Sequence, residues 1–241
     1  MMDKSFFKQH ISQQFNAELE DIIKQVMAMG GLVEQQLADA IHAMVEGDVE
    51  LAEKVMTSDY QVNAKEVEID EECTHILARR QPTASDLRLV IAVIKTITDL
   101  ERMGDEAERV GRMGLHLLDD DRNSAPMADI ASMGEHAREM TRGALDAFAR
   151  MDVDQAVRVA QQDIQIDSLY ETITQKLMKQ MTASPDSVPR LMDIIWATRS
   201  LERIGDRARN ICEYVVYFVK GKDVRHTSYE QMAEEATGDR H

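Results

Sequence analysis

A chain of 241 residues has room for one large or two small domains, with ample core. With only 4 prolines, 11 glycines and 5% aromatics, its make-up favours long helices over a sheet. The formal charge of −16, from 44 acidic against 28 basic residues, repels nucleic acid and anionic lipid, so direct binding to either is not expected.

Cys73 and Cys212 have no second thiol at metal-ligand spacing and read as ordinary buried thiols of a reduced cytosolic protein. The N-terminus MMDKSFFKQH carries no apolar signal segment. The longest apolar run near the C-terminus, 214–219, is far too short to span a bilayer. A soluble, cytoplasmic chain is expected, with no membrane insertion of its own.

In chain order, residues 1–12 form a polar lead-in. The first helical pattern runs from Phe15 to Gly47, with Leu19, Ile22, Ile23, Val26 and Met29 facing one way. Gly30-Gly31 interrupts it at a cost of about 0.5–1 kcal/mol per glycine relative to alanine, and reads as a close helix crossing or a kink. Gly47-Asp48 ends this helix and caps the next. A second helix is expected unbroken from Val49 to Arg79, on the stripe Val55, Val62, Ile69 and Ile76, flanked by Asp59, Glu66 and Asp70. Gln81-Pro82 breaks it, and Thr83 with Asp86 reads as the start of a capping box. The third helix continues to Leu118.

DDDRNSAP, over 119–126, is the linker candidate. A fourth helix follows to Arg150. A fifth, also expected unbroken, runs from Val153 to Met181 on the stripe Val159, Ile166 and Ile173, and TASPDSVP ends it with two prolines. The sixth spans Val188 to Val219. From Gly221 onward the chain is polar and is expected to be mobile, with at most a frayed helical turn.

The halves repeat. At an offset of 104, Gly30 meets Gly134, Ala40 meets Ala144, Asp48 meets Asp152, Asp59 meets Asp163 and Val62 meets Ile166. Past a second turn that is three residues shorter, the offset becomes 101. The predicted architecture is all-α: two tandem three-helix up-down bundles, 1–120 and 124–220, with 221–241 as a tail.

At that second offset DLERMGDEAERV, from Asp99, aligns with SLERIGDRARNI, from Ser200. Glu101 and Asp105 thus recur as Glu202 and Asp206, at a spacing of i, i+4 that places each pair on one helix face. Leu87, Val90, Ile94 and Ile97 lie on the same side as Glu101, as do Val188, Leu191, Ile195 and Thr198 with Glu202, so each pair is expected to continue an apolar stripe. Counting back through the hairpins sets Asp105 opposite Asp59 and Glu101 opposite Asn63. It also sets Asp206 opposite Asp163 and Glu202 opposite Asp167. Acids gathered in one seam repel and partly protonate unless a cation sits among them. With oxygen ligands only, a hard cation is implied: Mg²⁺, Mn²⁺, Ca²⁺ or ferric iron. Gly104 and Gly205, one residue before each Asp, let a neighbouring helix approach.

The alternative is an ionic seam without metal, in which Arg102, Arg109, Arg203 and Arg207 neutralise the acids. Glu72-Cys73-Thr74-His75 spells Glu-x-x-His once and without a twin, so His75 reads as an ordinary helix histidine. The chain has no Ser-His-Asp or Cys-His pairing, phosphate loop or dinucleotide fingerprint.

LERMGD (100–105), LERIGD (201–206), the QPTASDLR hairpin (81–88) and the acids Asp59, Asp70, Asp163 and Asp167 resemble the PhoU family of bacteria, over about residues 10–225. The resemblance implies two similar three-helix bundles, homodimers, and metal held by Glu101/Asp105 and Glu202/Asp206; the hairpin count adds Asp59, Asp163 and Asp167 as facing ligands. It also implies negative regulation of the phosphate-starvation response and control of phosphate uptake. The implied partners are a phosphate ABC transporter, at its ATPase subunit, and a membrane sensor histidine kinase, which would bring the chain to the inner membrane only through them. No catalysis is implied. Two rival readings stand beside this one: a dinuclear metal-dependent phosphoesterase or oxidase, and a purely structural bundle.

Overall fold

A computed structural model describes residues 13–117 and 124–238. The lead-in over 1–12, Leu118 at the expected end of the third helix, and residues 119–123 of the linker lie outside the described residues. In order, the elements are α1 (Gln13–Glu46), α2 (Val49–Ser58), α3 (Tyr60–Arg80), α4 (Ala84–His116), α5 (Ala125–Arg150), α6 (Val153–Ala160), α7 (Asp163–Ala183), a 3₁₀ turn (Pro185–Ser187), α8 (Val188–Lys220) and α9 (Tyr229–Thr237). No strand occurs among the described residues.

Each repeat closes as a three-helix unit. In the first, α2–α3 packs on α1 and α4; in the second, α6–α7 packs on α5 and α8. The units lie side by side, α4 against α8 and α1 against α5. The stripes predicted from spacing are buried throughout: Val55, Val62, Ile69 and Ile76 in one half, Val159, Ile166 and Ile173 in the other. One apolar core runs through both halves.

The repeat is visible in the contacts. A methyl group at Gly30 would sit 2.6 Å from Leu145, and one at Gly134 would sit 2.8 Å from Ile41. Those four positions exchange under the offset of 104, so α1 and α5 cross at glycines through a pseudo-twofold relation. Gly30 therefore marks a close crossing; α1 runs through it unbroken. Polar contacts between α4 and α8 follow the same relation. Asp99 accepts from Arg207 at 3.3 Å, and the equivalent pair joins Ser200 to Glu106 at 2.7 Å. With His116 reaching Asp193 at 3.3 Å, these pairings set the two helices antiparallel.

Three expectations are corrected. The second helix is two, because the chain turns at Asp59; Thr57 and Ser58 bond back to the carbonyls of Glu53, Lys54 and Val55, which bends the helix there. The fifth also breaks, at Gln161-Gln162, where Gln162 N–H bonds Val159 O at 3.0 Å in a tightened turn. Both breaks precede or contain the acids that repeat, Asp59 and Asp163. The third correction is the tail. After Gly221, at φ +79°, it forms α9 behind a Ser228–Gln231 capping box, with Val224, Met232 and Ala236 buried.

Candidate functional site

In the first half the helix junction holds Asp59 at only 7% exposure, and Gln36 and Asn63 donate to its oxygens at 3.1 and 3.0 Å. Gly104 of α4 faces it: a β-carbon there would lie 2.9 Å from Asp59 Oδ1. The absent side chain is what lets the carboxylate lean over α4. One carboxylate oxygen each from Asp59, Asp105 and Glu108 then falls within 4.8 Å of the others. Burial, followed by the charges of Asp59 and Glu108, holds the Asp105 carboxyl above its ordinary range. Burial and the charges of Asp105, Glu66 and Asp59 do the same for Glu101, half-buried one turn away. Among the described residues no ion pair reaches Asp59, Glu101 or Asp105.

In the second half Asp163 opens α7 at 1% exposure, and Glu202 of α8 is 8% exposed. Burial, with Asp206 next, pushes the Glu202 carboxyl up to about 7. Asp163 and Asp167 are also raised, burial being the largest cause in both. Here cations are present. Arg209 donates to Asp163 Oδ2 at 2.7 Å and lies 3.8 Å from Asp206, while Arg199 pairs with Glu202. The Tyr229 hydroxyl donates to Asp163 Oδ2 as well, at 3.1 Å. Asp163 Oδ1 and Glu202 Oε2 are buried without a hydrogen-bond partner.

Across the hairpins Asp105 therefore comes together with Asp59, Glu202 feels the charges of Asp163 and Asp167, and Asp163 feels that of Asp206, while Asn63, expected opposite Glu101, bonds Asp59 instead. The expected dry setting holds only in part, since Asp105 and Asp167 are exposed and Asp206 is half-exposed. Leu87 and Val188, at the hairpin ends of the two stripes, are exposed too. Three of the four arginines of the ionic-seam alternative are engaged elsewhere, and the fourth, Arg102, is exposed and eases the charge of Glu101. Arg203 and Arg109 hold Glu106, at 2.9 and 3.1 Å, and Arg207 holds Asp99. Arg199 and Arg209 act on the second cluster instead. Sequence reasoning missed both, along with Glu108, Gln36 and Tyr229. Glu108 was within reach, because it continues the face of Glu101 and Asp105 by three residues.

The donor set fits a hard cation best in the first half, where three carboxylate oxygens converge and, among the described residues, Arg112 pairs with Glu108 while no cation pairs with Asp59 or Asp105. Asp59, Asp105 and Glu108 would hold it, with Glu101 beside them. In the second half the orphaned oxygens of Asp163 and Glu202 also fit an ion, but a guanidinium stands among them. Cys73 and Cys212 are buried free thiols, the Cys73 thiol raised to about 12 by burial, and His75 is exposed on α3. No helix among the described residues is long and apolar enough to cross a membrane.

Comparison with known proteins accounts for the duplication. The family model described as the PhoU domain matches twice, over residues 26–113 and 130–215. A phosphate-specific transport system accessory protein PhoU homolog of Pseudomonas putida is 49% identical over 238 residues, covering 99% of this chain and 93% of the relative. The phosphate-specific transport system accessory protein PhoU of Escherichia coli K12 is 48% identical over 231 residues, covering 96% of this chain and 95% of the relative. The crystal structure of PhoU from Pseudomonas aeruginosa superposes with a TM-score of 0.83 at 48% identity, covering 86% of this chain and 100% of that one. The phosphate transport system regulatory protein PhoU of Streptococcus pneumoniae superposes at 0.81 with 30% identity, covering 87% of this chain and 99% of that one.

Proposed function

The chain belongs to the PhoU family, and from that premise we propose that it restrains the phosphate-starvation response and modulates phosphate uptake as a metal-binding adaptor. It would link a phosphate ABC transporter, at its ATPase subunit, to a sensor histidine kinase. The observation that carries this reading is near-half identity, over almost the whole of both chains, to proteins named as accessories of phosphate-specific transport. Those relatives are named as accessory or regulatory proteins, which supports a regulator over an enzyme.

The first acid cluster supports the metal-binding part. A hard cation there supplies charge neutralisation and ties the α2–α3 junction to α4 through Asp59, Asp105 and Glu108. The charge of −16 disfavours attachment to bare anionic headgroups, so the reading places contact with the membrane on protein partners.

The test is a deletion strain carrying a reporter of a phosphate-starvation promoter. High reporter output in high phosphate, restored to low by the wild-type gene, is the expected result. Unchanged output on deletion would contradict the regulatory reading. The adaptor part is tested by affinity capture from crosslinked cells: recovery of the transporter ATPase and the kinase supports it, and recovery of neither contradicts it.

A further inference from the structure

The two acid clusters differ in the sign of charge at two aligned positions. At the offset of 101, Arg209 stands where the first half has Glu108, and Glu213 stands where it has Arg112. Each half makes the i, i+4 ion pair between those positions, but with the polarity reversed: Arg112 on Glu108, and Arg209 Nε on Glu213 at 3.5 Å. The reversal leaves a carboxylate beside Asp59 and Asp105 in one half. In the other it seats a guanidinium on Asp163 and Asp206.

The C-terminal strap completes the arrangement. Gly221 and His226, both at positive φ, turn the chain back, and the capping box fixes the first turn of α9. That turn carries Tyr229, whose hydroxyl shares Asp163 Oδ2 with Arg209. Val224, Met232 and Ala236 anchor the strap, with α9 packed on α6 and α8. The second cluster still has two buried carboxylate oxygens without partners, Asp163 Oδ1 and Glu202 Oε2. Oδ1 lies toward Gly205, at 3.4 Å from where a β-carbon would be. These are atoms that an ion would satisfy if the guanidinium left. Space for it to leave exists, in a cavity of about 610 Å³ lined by Arg209, Glu213, Tyr214, Arg225, His226 and Tyr229, among others.

We propose that Arg209, held by Tyr229 of the C-terminal strap, is the resident cation of the second acid cluster and keeps it closed to metal ions. The two halves of one chain therefore load unequally. Arginine suits this role, since it stays charged at any pH the protein meets and bridges several carboxylates at once. The inference rests on the reading of the first cluster as a cation site.

The experiment is titration of the full-length protein with Mn²⁺, free ion being read by electron paramagnetic resonance. The variants are Arg209→Glu, Arg209→Gln and Tyr229→Phe. Wild type is expected to bind one tight Mn²⁺ per chain, and Arg209→Glu to bind two, the second being lost again on adding Asp163→Asn. Arg209→Gln, which removes the charge alone, decides the matter if Arg209→Glu fails to fold by circular dichroism. It is expected to raise second-site affinity at least about tenfold. Tyr229→Phe is expected to raise it less, and to speed amide exchange over 229–237 once Mn²⁺ is added. Two equal sites in wild type, or one site in wild type and in every folded variant, would overturn the latch alone. No binding by any form would overturn the reading of the first cluster, and the latch with it.

Discussion

The Asp59 cluster and the Asp163 cluster occupy equivalent places in the two repeats, each at a helix break, facing a glycine and a Leu-Glu-Arg-x-Gly-Asp signature. They differ in how their charge is met. In the first, amide donors from Gln36 and Asn63 satisfy Asp59, Arg112 pairs with Glu108, and three carboxylates face one another. In the second, Arg209, Arg199 and Tyr229 bring the counter-charge and the hydrogen bond from within the chain. The scaffold of the site recurs in both repeats, while the aligned pair Glu108/Arg112 of the first is Arg209/Glu213 in the second, and Arg199 and Tyr229 add to the second alone.

The comparison is sharpest where equivalent positions carry different chemistry. Asp99 and Ser200 are such a pair. Asp99 is buried and accepts from Arg207, Asn210 and Tyr214, the last at 2.8 Å, whereas Ser200 donates one bond to Glu106. Asp99→Ala is expected to cost about 2–3 kcal/mol in urea unfolding, and Ser200→Ala about 1 kcal/mol. Equal costs would mean that the α4–α8 seam does not depend on the charged bond.

Glu213 gives the next effect. Burial pushes its carboxyl up to about 7 from 4.5, although Arg209 pulls the other way. Between those values the folded chain holds a proton that the unfolded chain has released. Raising the pH through this window therefore removes stability, on the order of 2 kcal/mol by pH 8. Thermal unfolding of the metal-free protein should show a lower Tm at pH 8 than at pH 5, with a smaller drop in Glu213→Gln. An identical drop in the variant would assign the pH dependence to other groups.

The glycines separate the clusters more gently. A methyl group at Gly104 would press on Asp59 Oδ1, while one at Gly205 would press first on the Ile166 side chain, at 2.9 Å. Helix propensity gains about 1 kcal/mol from Gly→Ala in each case and offsets most of the crowding. Both variants should stay folded, and only Gly104→Ala should weaken Mn²⁺ binding, by about tenfold. Comparable loss in Gly205→Ala would place the wild-type ion in the second half. The smallest effect is expected at His75: exposed on α3, it should leave ion binding unchanged on substitution by alanine, with stability altered by under about 0.5 kcal/mol.

Much of this was legible before the fold. Apolar spacing gave the helices and their buried stripes, the repeat offsets gave the two units, and counting through the hairpin gave the pairing of Asp105 with Asp59. The breaks at Asp59 and Gln161-Gln162 were not legible, because neither contains glycine or proline. They arise from hydroxyl back-bonding and a tightened turn that polar side chains produce only in context. The tail read as mobile because its polar composition hides three anchors, Val224, Met232 and Ala236, spaced for one face of a strap. The arginine assignments were misread for a different reason. Arg203 and Arg207 each sit one residue after a signature acid, but side chains one residue apart on a helix point to different faces, here toward Glu106 and Asp99 across the seam.

The central claim is that the first cluster is the chain's ready cation site. It is tested most directly by Mn²⁺ titration of the intact protein against two double variants, Asp59→Asn with Asp105→Asn and Asp163→Asn with Asp206→Asn. The account predicts one tightly bound ion in wild type, affinity lowered more than about 100-fold in the first double variant, and no loss in the second. Retention of the ion by the first double variant with its loss in the second would contradict the account.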